Sequence, residues 1–106
     1  MLKLSEMKKL EKVMKEDCVK EITNDMNEIM PSFIMDDSAR LIFKNGLYLH
    51  IVGKEDKYSL AIADYDGFFN WEMLNVFHLS HNVSEGCILT DDEDEIVSII
   101  KAIEVF

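Results

Sequence analysis

The chain has few of the features needed to bind nucleic acid, cross a membrane or build loops. Eleven Lys and Arg stand against twenty-one Asp and Glu, a net charge of −10 at pH 7, and 106 residues hold one proline and four glycines. A deficit of positive charge this large disfavours direct binding to nucleic acid or to an anionic membrane surface. It suits a basic protein partner. Scarce Pro and Gly argue against a disordered or loop-dominated chain. Gly46, Gly53, Gly67 and Gly86 stand singly, so no glycine-rich phosphate loop is present. Two cysteines, Cys18 and Cys87, make no disulfide framework and read as thiols of a reducing compartment. No uncharged run approaches the roughly 20 residues of a membrane span. Lysines and acids run through residues 1–20, which leaves no signal-peptide stretch. A soluble, cytoplasmic protein is expected.

What is present is ample apolar material, 48% of the chain, enough for one core in a single domain over residues 1–106. Met7, Leu10, Met14, Cys18, Ile22, Met26 and Ile29 recur at three- and four-residue steps. That spacing predicts one long N-terminal helix from Ser5, as its cap, to about residue 30, where Pro31 stops it. Thr23-Asn24 is the place for a bend. Arg40 to Lys44 and Leu47 to Val52 flank Asn45-Gly46, the dipeptide of a two-residue type I′ hairpin. That turn sets Ile42 opposite Leu49 and Phe43 opposite Tyr48. Lys57 to Tyr65 forms a third strand, with Tyr58, Leu60 and Ile62 on one face. Ser59, Ala61 and Ala63 form the other, small enough for the long helix to approach.

Residues 68–86 read as a short helix capped by Asn70, since Trp-Glu-Met-Leu resembles a helix interior, with a strand as the alternative. Cys87-Ile88-Leu89 suits a brief strand. Thr90 and Glu93 form a capping box for a C-terminal helix that buries Ile96, Ile99, Ile100 and Ile103. The fold class expected is α+β: a long helix, a three-stranded antiparallel sheet, a short helix or strand, and a C-terminal helix.

The charge is uneven. Residues 1–30 hold six lysines against seven acids, whereas residues 70–106 hold one lysine against eight. The run Asp91-Asp92-Glu93-Asp94-Glu95 lacks the interleaved ligands and glycine turn of a calcium loop. Helix-dipole complementation and solvation explain much of it, and a partner surface is the functional alternative. His78, His81 and Cys87 have the ligand types of a zinc site, but no fourth ligand is evident unless His50 or Asp91 closes it. Cys87 opens an apolar run, a setting that makes a thiol inert. Asp64 and Asp66 sit beside a turn and are explained by turn chemistry. No catalytic, metal or cofactor site is therefore expected. Phe68, Phe69 and Trp71 cluster as core residues or as an interface anchor.

The order of helix, glycine-turned hairpin and strand resembles small accessory proteins of phages and prophages. So do Tyr58-Ser59-Leu60-Ala61-Ile62-Ala63, Cys87-Ile88-Leu89-Thr90 and the acid-headed helix to Ile103. Some of those proteins are anti-CRISPR inhibitors, and the resemblance implies a carboxylate surface that occupies a nucleic-acid-binding groove. The expectation is a non-enzymatic acidic module that mimics nucleic acid and blocks a basic nuclease or other nucleic-acid-binding protein. Its partner-binding residues would be Asp91, Asp92, Asp94 and Glu95, flanked by Glu85, Glu72 and Trp71. A toxin-neutralising immunity protein is the alternative.

Overall fold

The computed structural model describes residues 2–14, 32–63, 82–84 and 86–105. In place of a helix running from Ser5, Leu4–Glu6 makes a 3-10 turn and α1 begins at Lys8, described over Lys8–Met14; residues 15–31 lie outside the described part. Ser5 is not a cap, because its hydroxyl donates to Asp36 Oδ1. The Leu4 N–H also donates to the Asp36 carbonyl (2.9 Å), and the Tyr58 hydroxyl donates to the Leu2 carbonyl (2.6 Å). These long-range ties fix the entering backbone in a turn, and helical geometry begins only after them. The described start of the apolar stripe, Met7 and Leu10, is buried, as is Val13 beside it; Met14, Cys18, Ile22, Met26 and Ile29 lie outside the described burial.

Among the described residues, six antiparallel strands form one sheet where a three-stranded sheet was expected, and the brief strand read at Cys87-Ile88-Leu89 is one of them. They are β1 (Phe33–Ile34), β2 (Ser38–Ile42), β3 (Tyr48–Lys54), β4 (Lys57–Ala63), β5 (Val83–Ser84) and β6 (Cys87–Thr90), in the order β1-β2-β3-β4-β6-β5. Two of the additions, β1 and β5, are two-residue edge strands, too short to carry an alternating pattern. Short edges of this kind limit the unpaired backbone a sheet offers to other chains. The expected short element over 68–86 falls mainly on residues 64–81, outside the described part; β5 occupies its end.

The β2–β3 hairpin is one residue out of the expected register. Gly46 N–H donates to the Phe43 carbonyl (3.0 Å) and Phe43 N–H to the Leu47 carbonyl (2.9 Å), enclosing a three-residue loop. Gly46 takes φ 91°, whereas Asn45 has no positive φ, so the two-residue type I′ turn does not form. Ile42 consequently pairs with Tyr48, Leu41 with Leu49 and Arg40 with His50. The shift places Ala39, Leu41, Phe43, Leu47, Leu49 and Ile51 together in the core.

The β3–β4 turn has two loop residues, Glu55 and Asp56, between paired Lys54 and Lys57. Glu55 sits at φ 60°, a conformation that costs a side-chain-bearing residue about 1–2 kcal/mol. Glycine removes that cost and adds roughly 0.5–1 kcal/mol of chain entropy to the unfolded state. Urea titration should therefore find Glu55→Gly about 0.5–1 kcal/mol more stable than the parent, with Glu55→Ala close to the parent. Equal stability for the parent and the glycine variant would mean the turn carries no strain.

One face of the sheet is covered by the helices. Tyr58, Leu60, Ile62 and Ile88 join Leu4, Met7, Leu10 and Val13 in one cluster. Ile96, Ile99, Ile100 and Ile103 of α2 (Glu93–Glu104) complete it. The large residues of β4 thus meet the helices, and Ser59 and Ala61 point away, the reverse of the close approach expected on the small-residue face. Area decides it: burying Tyr58, Leu60 and Ile62 removes far more apolar surface from water than burying serine and alanine. Gly53 allows the β1–β2 loop to lie close, because a Cβ there would stand 3.3 Å from Asp37 Cβ and its carbonyl oxygen.

Candidate functional site

The acid run opens α2 as expected, but its carboxylates divide their work differently. Asp92, not Thr90, is the N-cap: its Oδ1 accepts from the Asp94 N–H (2.9 Å). Thr90 is buried, and its hydroxyl oxygen accepts from the Asp92 N–H (3.1 Å). Glu93 does not close a capping box. Its Oε2 reaches across to the Lys9 N–H (3.0 Å), an otherwise unpaired donor in the first turn of α1. Asp94 Oδ1 accepts from Lys9 Nζ, which raises the Lys9 pKa, first through that hydrogen bond and then through the Asp94 charge. Lys9 therefore clasps the head of α2 to the head of α1 through both its backbone and its side chain. The ion pair is largely exposed, so solvent and salt screen it and it adds little to stability.

Of the seven residues expected at a partner surface, Asp91, Asp92 and Asp94 are exposed around the start of α2, and Glu95 is partly buried there. Glu72, Trp71 and Glu85 lie outside the described residues. Thus the structure brings four candidates together, and two of them already have structural tasks in capping and in the Lys9 clasp. Among the described residues, no three His, Cys, Asp or Glu side chains gather closely enough to hold a metal ion. Cys87 carries a free, half-buried thiol, while His78 and His81 fall outside the described part.

Two features were missed in the sequence. The first is a groove of about 240 Å³ beside the β3–β4 turn, where Lys54 and Lys57 stand over Ser59, Ser84, Cys87 and Leu89. Glu55 and Asp56 also line it, so its formal charge balances. The second is a row across the sheet face turned away from the helices. The Arg40 guanidinium carbon lies 5.9 Å from the Phe33 ring centre, and Arg40 Nε–H donates to His50 Nδ1 over 3.4 Å. The His50 ring meets Tyr48 edge-on, with centres 6.2 Å apart. The three-residue β2–β3 loop is the signal that would have placed Arg40 opposite His50. Burial first, and the Arg40 charge second, lower the His50 pKa below 6.5.

Among the described residues no helix is long and apolar enough to cross a membrane. Comparison with protein-family models, with curated proteins and with solved structures gives no match.

Proposed function

We propose that this chain is a non-enzymatic protein-binding module whose acidic head on α2 engages a basic partner. The supporting observation is the grouping of exposed Asp91, Asp92 and Asp94 with Glu95 at one helix start, where Lys9 is the cation that the described structure holds against them. Carboxylates held this way accelerate encounter with a basic surface and fix its orientation more than they add affinity. The finer reading is inhibition: the carboxylates stand in for phosphates in the groove of a nuclease or another nucleic-acid-binding protein, in the cytoplasm. An anti-CRISPR-like inhibitor would act so. A toxin-neutralising immunity protein would use the same surface against one cognate partner.

Capture from host lysate at low and high salt identifies the partner. The quadruple variant Asp91→Asn, Asp92→Asn, Asp94→Asn, Glu95→Gln then tests the surface. Asparagine at position 92 still caps the helix, so the fold is retained. The expected result is an affinity at least tenfold lower, mostly through slower association, with the salt dependence flattened. An unchanged affinity in a folded variant would sink the proposal.

A further inference from the structure

We propose that the Phe33–Arg40–His50 row is a pH-sensitive latch, in which protonation of the His50 ring breaks its bond to Arg40 and frees β1 from the sheet edge. The three residues sit directly across three adjacent strands, with Phe33 paired to Arg40 and Arg40 paired to His50. A guanidinium has donors only, so His50 Nδ1 must be the acceptor and the neutral ring carries its proton on Nε2. Protonating Nδ1 puts a second donor and a second positive charge against Arg40. The contact then becomes repulsive, and the guanidinium must move from its place over the Phe33 ring.

β1 is short: it is two residues long, pairs with β2 at Phe33 and Ile34, and packs Ile34 against the core. Among the described residues its neighbouring ties to β2 are Met35 N–H to the Ser38 carbonyl (2.8 Å) and Ile42 N–H to Ser32 Oγ (2.9 Å). Nothing described around His50 offsets the new charge. β2 contributes Arg40. β4 contributes Ala61, directly opposite, with Ser59 and Ala63 on either side on the same face. β3 itself contributes Tyr48 and Val52. No carboxylate faces the ring among these. Release of β1 would bare the backbone of β2 as an open edge, a surface on which another strand can add.

The lowered His50 pKa sets the direction. The folded protein keeps the ring neutral while the latch-open and unfolded forms take up a proton from about pH 6.5 downward. Closure is therefore complete above that pH and weakens as pH falls through the folded value.

Hydrogen exchange read residue by residue at pH 7.5 and pH 5.0, corrected for intrinsic rates, tests this on the full chain. The Met35 and Ile42 amides should lose at least tenfold in protection at pH 5.0, while amides of the β3–β4 ladder keep theirs. His50→Gln retains an acceptor for Arg40 but cannot titrate, and should hold its protection at both pH values. Should that variant fail to fold, β1 protection in the parent should begin to fall near pH 6.5 and level off where the ring titration of His50, followed by NMR, is complete. Protection that does not change with pH, equal loss in His50→Gln, or a loss that continues unchanged after the ring is fully protonated would each overturn the latch.

Discussion

Truncating Ile100 to alanine will lower the unfolding free energy by about 2–5 kcal/mol, and Ile100→Val by about 0.5–1.5 kcal/mol. Ile100 is fully buried on α2, in the same cluster as Leu41, Leu49 and Leu60 of the central strands. Removing its outer carbons forfeits their transfer energy, and a cavity remains because strands and helices cannot both close on it. For a domain of this size the total stability is about 5–15 kcal/mol, so the alanine variant would lose a large share and melt roughly 10 °C or more below the parent. Ser98→Ala, on the exposed side of the same helix, is the control and should stay within about 0.5 kcal/mol. An Ile100→Ala cost below about 1 kcal/mol would show that α2 is not packed on the sheet as described.

That helix was legible because its apolar residues repeat at helical spacing and its acids mark where it starts. The alternation of Tyr58, Leu60 and Ile62 was legible for the same reason: all three are buried together, as period-two spacing requires. What could not be read was decided by contacts distant in sequence. Ser5 has the chemistry of a cap, yet Asp36 takes its hydroxyl and α1 starts three residues later. Thr90 and Glu93 have the spacing of a capping box, yet Lys9 takes the Glu93 carboxylate and Asp92 caps instead. In each case two local partners were chemically suitable, and a tertiary one won.

The candidate surface was legible to the same degree. Charge counting located the carboxylates, since net charge needs no fold. It could not show that Asp94 is paired to a lysine 85 positions away. Nor could it show the Arg40–His50 contact, which depends on the length of one turn. Asn-Gly favours a two-residue loop, and the residue in left-handed conformation here is Gly46 alone.

Asn45 explains why the longer loop wins, and its replacement should cost about 2–3 kcal/mol. Its Oδ1 accepts from the Leu47 N–H (3.0 Å), bridging the loop, and its Nδ2 donates to the Ile103 carbonyl (2.8 Å) in the last turn of α2. A two-residue turn with Asn45 in left-handed conformation would re-aim this side chain and give up both bonds. In Asn45→Ala the Ile103 carbonyl keeps the Val105 N–H, so that end loses one hydrogen bond of about 1 kcal/mol. The Leu47 N–H, on a buried residue, loses its side-chain acceptor at about 1–2 kcal/mol. Asn45→Asp separates the two contacts. It keeps the acceptor for Leu47 but turns a carboxylate toward a carbonyl oxygen at the negative end of the α2 dipole. At pH 7 it should be destabilised by about 1–2 kcal/mol. The carboxyl, held above its ordinary pKa, regains a donor on protonation, so its deficit against the parent should shrink as pH falls through about 4–5. A deficit that stays constant across that range would place the cost in the loop rather than in its tie to the helix, and an alanine variant as stable as the parent would remove the tie altogether.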